Sequence, residues 1–255
     1  MLRVDNISKN YKSEGKVKQA LREVDLTVGK GEIIGLVGES GSGKSTLARV
    51  IMQLEPFDEG AVYFNELPVT KSSRKAFYEA CQLIFQNASA ALNPSWTVRE
   101  ILLEPLRNRQ GDREAYIRQM LKKVKLTETY LTRRPSELSG GERQRVNLLR
   151  SILVEPQLVV CDEIISNLDR LIQREIIDLL IELNREMGMA ILFIAHDLKA
   201  VTYMCDRVYV MKDGQIVEQS VKVQDEFVFS HAYSRQLFAS QLGKGAVDNV
   251  AESKR

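Results

Sequence analysis

The strongest constraint on the fold is a glycine-rich run between an apolar segment and a helical one. Residues 38–46 read Gly-Glu-Ser-Gly-Ser-Gly-Lys-Ser-Thr and directly follow the apolar run Ile33–Val37. A short apolar run bounded by glycines favours a strand buried on both faces of a parallel sheet. The Gly-x4-Gly-Lys-Ser pattern in this strand-to-helix setting predicts a loop that binds nucleotide phosphates. The alternative is a Gly/Ser-rich turn that only caps a helix.

Each residue of this predicted phosphate loop has an expected task. Gly38, Gly41 and Gly43 allow backbone amides to converge on phosphate oxygens at a helix N-terminus. Lys44 adds a positive charge near the β- and γ-phosphates, and Ser45 is expected to hold Mg²⁺. The remaining nucleotide contacts predicted in the loop are Ser40, Ser42 and Thr46.

Composition excludes several other classes of protein. With 44% hydrophobic and 27% charged residues among 255, the chain is typical of a soluble globular protein. A formal charge of +2 is too small for a general nucleic-acid binder. Its three cysteines, Cys81, Cys161 and Cys205, fit neither a disulfide framework nor a paired-cysteine metal site, so a reducing compartment is expected. Because no apolar run approaches the roughly 18 residues that span a bilayer, a membrane role would come through partners.

Further apolar runs predict the rest of the sheet. Residues 158–161, 190–194 and 208–211 resemble Ile33–Val37, and a helical pattern separates the first two. Strands that alternate with helices imply a parallel α/β sheet. The first thirty residues instead alternate loosely between apolar and polar residues, which predicts two further strands.

The domain prediction follows from these patterns. Residues 98–154 read as helical, with apolar residues three and four apart. We predict a single domain over 1–242, with a core at 1–85 and 155–225, a helical subdomain at 86–154 and a C-terminal helical segment at 226–242. Residues 243–255 are small and polar, which indicates a flexible tail.

Two other segments carry groups suited to phosphate chemistry. Ser139, Gly140, Gly141 and Glu142 begin a predicted helix, so their amides form a second candidate anion site. The 158–161 run ends in adjacent carboxylates, where Asp162 can bind Mg²⁺ through water and Glu163 can polarise an attacking water. Simpler alternatives are a capped Gly-Gly turn and an acidic turn.

These segments together resemble the motif set of ATP-binding cassette (ABC) ATPases. Residues 138–145 resemble the signature motif, which in that family contacts the γ-phosphate of ATP held by the opposite subunit, and residues 158–163 resemble the Walker B strand. Residues 166–169, ending in Asp169, lie at the place of the D-loop, and His196 resembles the H-loop histidine. Gln86 resembles the Q-loop glutamine that reaches Mg²⁺ and the water.

Tyr11 lies where the family has its adenine-stacking aromatic, although packing on its own sheet is an alternative. A lone histidine at a strand end, such as His196, is also often structural. The chain departs from the family at Ile164 and Ile165, where Pro-Thr is usual, and at Cys161, where an aliphatic residue is usual. The resemblance implies an ATPase that uses ATP and Mg²⁺. It implies an α/β P-loop NTPase (RecA-like) core with an antiparallel β N-terminal part and an inserted α-helical subdomain.

Finer resemblances point to importers of dipeptides, oligopeptides and nickel. Residues 85–106 resemble the stretch after the Q-loop in those ATPases, and residues 162–169 are most similar to the nickel-type member. Residues 231–237 resemble the family's C-terminal His-Pro-Tyr-Thr segment, with Ala232 in place of proline; an ordinary amphipathic helix is the alternative. No cysteine follows Cys205, so no iron–sulfur site is expected.

The implied assembly has two ATPase subunits on two membrane permeases, with a binding protein outside the cell delivering the cargo. We therefore expect a peripheral subunit on the cytoplasmic face of the membrane, paired with a sister ATPase or a second copy of itself, and no nucleic-acid partner. The expected cargo is nickel or another metal chelate first and a short peptide second. The alternative function is a soluble, non-transport ABC ATPase of DNA repair or translation. A degenerate regulatory subunit is disfavoured by the intact Lys44, Glu163 and His196.

Overall fold

A computed structural model describes residues 1–13, 16–85 and 91–242, which contain two sheets with helices around them. The strands are β1 (Leu2–Ser13), β2 (Lys16–Val28), β3 (Ile33–Val37), β4 (Glu59–Phe64), β5 (Leu67–Pro68), β6 (Cys81–Ile84), β7 (Leu158–Asp162), β8 (Ala190–Ile194), β9 (Arg207–Lys212) and β10 (Gln215–Val221). The helices are α1 (Lys44–Ile51), α2 (Arg74–Ala80), α3 (Val98–Leu103), α4 (Arg113–Lys123), α5 (Gly140–Ile152), α6 (Arg170–Met187), α7 (Leu198–Met204) and α8 (Ala232–Leu242).

The larger sheet carries the predicted buried strands. Its order is β10-β9-β3-β8-β7-β6, and all neighbours are parallel except β10, which is antiparallel to β9. Every residue of β3 and β8 is buried, as expected for strands covered on both faces. Because β3, β7 and β8 are parallel, the loops that follow them emerge at one edge of the sheet.

The smaller sheet is antiparallel and has the order β2-β1-β4-β5. Alternate residues of its first strand, Leu2 and Val4, are buried, as is Ile7 beyond a register shift. The predicted α/β fold with an antiparallel N-terminal part is therefore confirmed.

Helices α3, α4 and α5 lie between β6 and β7 in sequence, together with two short 3-10 turns at Glu128–Tyr130 and Pro135–Glu137. Their apolar residues join one buried cluster, as the spacings of three and four predicted; examples are Ile117, Met120, Leu121, Val146 and Leu149. Val124 and Leu153 are buried too, but each lies just beyond the end of its helix. The predicted domain boundaries stay a prediction.

Among the helices that the structure describes, none is both long enough and apolar enough to cross a membrane.

Candidate nucleotide site

The phosphate loop joins the end of β3 to the start of α1 and is packed closely by its neighbours. Gly43 has φ +109°, and a Cβ there would lie 2.7 Å from the backbone oxygen of Ala20. A Cβ on Gly38 would lie 2.1 Å from the backbone oxygen of Met211. Glycine is therefore required at both positions for steric reasons as well as for backbone conformation.

Lys44 is buried within this loop, with 5% of its surface exposed. Its Nζ donates to the backbone oxygens of Gly38 and Glu39, both at 2.8 Å. Burial lowers the pKa of Lys44, and the carboxylates of Glu163 and Asp162 oppose that shift. A cation held by carbonyl oxygens at a helix N-terminus can exchange those acceptors for phosphate oxygens.

Ser45 and Asp162 meet across the gap between α1 and β7. The Ser45 hydroxyl donates to Asp162 Oδ1 at 3.1 Å. Burial raises the pKa of Asp162, with Glu163 adding to the shift and the hydrogen bond from Ser45 opposing it. A hydroxyl oxygen beside a carboxylate is the oxygen donor set that Mg²⁺ prefers, so these residues fit the ion.

Glu163 follows β7 with φ +50°, a left-handed conformation that is uncommon for a residue other than glycine. Its backbone N–H donates to Ile194 of β8 at 2.9 Å, and its carbonyl accepts from the backbone N–H and the hydroxyl of Ser166 at 3.1 and 2.9 Å. His196 Nδ1 lies 3.9 Å from Glu163 Oε2. The conformation thus directs the Glu163 carboxylate toward the loop after β8.

Two open cavities flank Glu163. The larger, about 920 Å³, extends from the phosphate loop to Tyr11 and is bounded by Lys18, Arg22 and the Asp213–Gly214 turn, among others. The smaller, about 320 Å³, is lined on one side by Ser166 and on the other by His196. Glu163 lines both.

Tyr11 forms the far end of the larger cavity and is 37% exposed. Its hydroxyl donates to Glu55, which also pairs with Arg49 of α1. Burial raises the pKa of the Tyr11 hydroxyl, and the hydrogen bond to Glu55 raises it further. Lys9 Nζ lies 5.3 Å from the centroid of the ring, and the hydroxyl is tied to the region after α1.

The predicted second anion site starts α5 and lies outside the linings of both cavities. Ser139 and Glu142 form a reciprocal cap, in which Ser139 Oγ accepts from the Glu142 N–H at 3.3 Å and the Glu142 carboxylate accepts from the Ser139 N–H at 2.7 Å. Tyr130 also donates to Glu142 at 2.7 Å. Hydrogen bonds from the Ser139 backbone and then from Tyr130 lower the pKa of Glu142. Ser139 and Gly140 remain exposed.

Asp169 is also separate from the two cavities. Its carboxylate accepts from the N–H groups of Leu171 and Ile172 at 3.1 and 3.0 Å and so caps α6. Gln86 and the tail at 243–255 lie outside the described residues.

Comparisons with known proteins place this geometry in a family. The family model described as ABC transporter matches residues 21–166. This chain belongs to the ABC transporter family. It is 42% identical over 249 residues to the nickel import ATP-binding protein NikE of Shigella sonnei (strain Ss046), and 41% identical to the NikE of Escherichia coli (strain K12). Each alignment covers 93% of this chain and 92% of the relative.

Solved structures of ABC cassettes have the same fold. The ATP-binding cassette MJ0796, in a dimeric post-hydrolysis state bound to ADP and Pi, matches with a TM-score of 0.77 and 28% identity. That match covers 87% of this chain and 98% of the cassette. The cbiO1 of Clostridium perfringens has a TM-score of 0.79 at 24% identity over 96% of both chains, which supports the fold alone.

These comparisons confirm the predicted ABC family and the P-loop fold. They also confirm the ATPase activity and the use of ATP with Mg²⁺. The predicted role as the ATP-binding subunit of an ABC importer is likewise confirmed over the soluble, non-transport alternative.

Sequence patterns missed part of the nucleotide cavity. Gly214 donates to the Ser42 carbonyl at 2.9 Å and accepts from the Arg22 N–H at 2.8 Å, so the β9–β10 turn connects the phosphate loop to β2. Lys18 and Arg22 of β2 thereby reach the cavity. A lysine and an arginine in an antiparallel strand follow no motif, and only the folded packing reveals their position.

Proposed function

We propose that this chain binds and hydrolyses MgATP at the carboxyl edge of its parallel sheet, and that closure with a second ATPase chain drives uptake of nickel or another metal chelate through membrane permeases. The main support for this proposal is that Lys44, the Ser45–Asp162 pair and the Glu163–His196 pair lie together at that edge. Three chemically different tasks of ATP hydrolysis, namely phosphate binding, Mg²⁺ binding and water activation, thus have candidate groups in one place.

Binding would use the larger cavity from end to end. The Tyr11 ring takes the adenine, while the loop glycines, Ser40, Ser42 and Thr46 present amides or hydroxyls to the phosphates. The cavity of about 920 Å³ is within the size usual for a ligand of this kind. Lys44 leaves its own carbonyl acceptors and contacts the β- and γ-phosphates.

Ser45 and Asp162 would hold Mg²⁺, with Gln86 as a further ligand implied by the family resemblance. The bound ion would neutralise charge on the phosphate oxygens. Asp162 stays ionised more readily in that state, because a cation beside a buried carboxylate favours its charged form.

Hydrolysis would start at Glu163. Its carboxylate orients and polarises the water that attacks the γ-phosphate, and His196, 3.9 Å away, contacts the phosphate from the other side. Three hydrogen bonds fix the Glu163 backbone and so keep its carboxylate beside His196, which supports this assignment.

The exposure of Ser139 and Gly140, within the signature segment at residues 138–145, supports a shared site. Ser139, Gly140, Gly141 and Glu142 would contact the γ-phosphate of ATP bound by the partner chain, and Asp169 would lie at the junction. The capping box forms the helix start without using Ser139 and Gly140 for packing, so both remain exposed.

The proposed cargo rests on the relatives named nickel import ATP-binding proteins, which match over 93% of this chain. As a member of the ABC transporter family, the chain works with membrane permease components. We infer two permeases, an extracytoplasmic binding protein that acts indirectly, and a peripheral position on the cytoplasmic face. The partner ATPase is a sister chain or a second copy.

Transport in proteoliposomes tests the proposal. The chain is assembled with the permeases and binding protein encoded beside it, and uptake is measured with Ni²⁺, a Ni²⁺–citrate chelate or a dipeptide. ATP-dependent nickel accumulation that stops with Glu163→Gln is expected. Uptake of the dipeptide alone would overturn the proposed cargo but not the ATPase activity. Failure of the chain to associate with the permeases would contradict the transport role.

A further inference from the structure

The C-terminal segment, residues 226–242, is packed into the core beside the nucleotide site. Phe227, Phe229, Tyr233 and Phe238 are all buried in the same apolar cluster as Val37, the last residue of β3. The rings of Phe229 and Phe238 are 4.1 Å apart between centroids. This segment includes the sequence that resembles His-Pro-Tyr-Thr, to which no task in the ATPase reaction has been given so far.

Glu218 of β10 fixes the start of α8. Its Oε1 accepts from the Ser230 N–H and hydroxyl at 2.6 and 2.7 Å and from the His231 N–H at 3.1 Å. Burial alone would raise the pKa of Glu218, but the nearby Ser234 hydroxyl and the hydrogen bonds from Ser230 and His231 hold it below the usual value. Charged acceptors form the stronger hydrogen bonds, so the helix start is firmly attached to the sheet.

From this start, Tyr233 reaches the phosphate loop. Its hydroxyl accepts a hydrogen bond from the Glu39 N–H at 3.2 Å, and its ring is 9% exposed. Lys212 Nζ lies 4.8 Å from the ring centroid, which further fixes the ring. The same Glu39 accepts Lys44 Nζ on its carbonyl at 2.8 Å. The backbone of Glu39 is therefore held at both of its polar groups, the N–H by Tyr233 and the carbonyl by Lys44.

The other end of α8 reaches a second loop of the site. Gln241 Oε1 accepts from the Leu198 N–H at 3.1 Å, two residues after His196. Gln241 also lines the smaller cavity together with Glu163 and His196. One helix thus makes hydrogen bonds to the loop that follows β3 and to the start of α7, directly after the loop that follows β8.

We propose that α8 is a brace for the ATP site and that Tyr233 is a positioning residue for the phosphate loop. The Tyr233 hydroxyl fixes the Glu39 peptide, and this fixes the loop conformation in which Lys44 and the loop amides receive the phosphates. Gln241 does the same for the start of α7 beside His196. The inference rests on the proposed MgATP site and adds a part of the chain that the ATP motifs do not include.

Tyr233→Phe isolates the hydroxyl, because the ring keeps its packing. The Kd for MgATP should rise about three- to tenfold, as expected when one hydrogen bond in a pre-formed site is lost. The KM for ATP should rise with it, while kcat at saturating ATP stays within about twofold of wild type. Amide hydrogen exchange at Glu39 should become faster. A merely structural role would lower the melting temperature without this KM-against-kcat split.

Tyr203→Phe is the matched control, since Tyr203 is exposed and its hydroxyl bonds Asp178 on α6. It should leave the Kd and the exchange at Glu39 unchanged. Gln241→Leu is the second variant and should lower kcat more than it raises the KM. If Tyr233→Phe keeps the wild-type Kd for MgATP and the wild-type hydrogen exchange at Glu39, the proposed role of α8 is wrong, but the proposed ATP site is not affected. Failure of the wild-type chain to bind MgATP would instead overturn the proposed function itself.

Discussion

The phosphate loop and the signature segment are both glycine-rich turns that begin a helix, but their surroundings differ. Ser42, Gly43 and Lys44 of the phosphate loop pack against β2, β9 and the β9–β10 turn, and Lys44 is 5% exposed. Ser40 and Gly41, at the tip of this loop, are exposed. Gly140 at the start of α5 would accept a Cβ with no atom nearer than 3.7 Å apart from its own helix, and Ser139 beside it is exposed. The phosphate loop is therefore held by other strands of the same chain, whereas the start of α5 is capped by its own residues and leaves Ser139 and Gly140 exposed.

This difference in exposure suggests a division of tasks, in which one chain binds ATP and two chains together hydrolyse it. A loop that is enclosed and pre-formed can bind ATP with its own residues, because little ordering is left to occur on binding. An exposed helix N-terminus offers amides and a positive dipole end to an anion brought by another molecule. In the proposed function, ATP binding therefore belongs to the single chain and ATP hydrolysis to a pair of chains.

Removing the positive charge of Lys44 from the phosphate loop should have the largest effect on ATP binding. Lys44→Ala should weaken MgATP binding by about 100-fold or more, since a buried cation paired with phosphate is among the stronger contacts a site can make. Titration with a fluorescent ATP analogue measures the Kd. Lys125→Ala, which removes a surface lysine that pairs with Glu182, is the control and should bind normally. Near-normal binding by Lys44→Ala would contradict the role of the loop.

Glu163→Gln should separate binding from turnover. We expect the Kd for MgATP to stay near wild type while hydrolysis falls about 100-fold or more, because the amide cannot polarise the attacking water as a carboxylate does. Steady-state phosphate release measures the rate. Glu182→Gln, at an exposed carboxylate that pairs with Lys125, should keep the wild-type rate. Hydrolysis at the wild-type rate in Glu163→Gln would remove it from the mechanism.

Much of this site could be predicted from the sequence because its chemistry is local. The loop at 38–46, the carboxylates Asp162 and Glu163 and the helix start at Ser139 each combine a distinctive residue pattern with a recognisable strand or helix. Parallel strands then bring the loops of β3, β7 and β8 to one edge. Adjacency of Lys44, Asp162 and His196 follows from topology alone.

The remaining parts depend on long-range packing. β6 has only four residues, and β4 has one buried side chain, Val62, so neither has a clear periodicity. Tyr233 contacts Glu39 across 194 positions of sequence, and nothing near either residue indicates the contact. Such features become visible only when the sheet and the C-terminal segment are packed together.

Single glycine-to-alanine substitutions test whether the two turns differ in how closely they are packed. Gly43→Ala should lower the free energy of unfolding by about 1–3 kcal/mol, because an alanine at φ +109° is strained and its Cβ would meet the backbone of Ala20. Gly140→Ala should change it by about 0.5 kcal/mol or less, since its Cβ finds ordinary contacts. Urea unfolding of both variants gives the two values. Equal losses would contradict the difference in enclosure.

The cap of the signature segment should show a small pH dependence. The folded-state pKa of Glu142 lies below its ordinary value of 4.5, so its stabilisation is fully present above pH 4.5 and is lost as the pH falls through the lower folded value. The stability difference between wild type and Glu142→Gln should therefore shrink below pH 4.5. Urea unfolding at pH 7 and at a series of acidic pH values measures it. A difference that stays constant to pH 3 would contradict the cap.

The most direct test of the division between one chain and two is to measure binding and hydrolysis on a Ser139→Arg chain. The Kd of the isolated chain for MgATP should stay within about twofold of wild type, because Ser139 lies outside its own nucleotide cavity. Once the variant is assembled with its partner ATPase, hydrolysis should stop at the site that this signature segment closes, since bulk replaces the helix N-terminus. Wild-type hydrolysis in that assembly, or a Kd that rises as hydrolysis falls, would contradict the shared site.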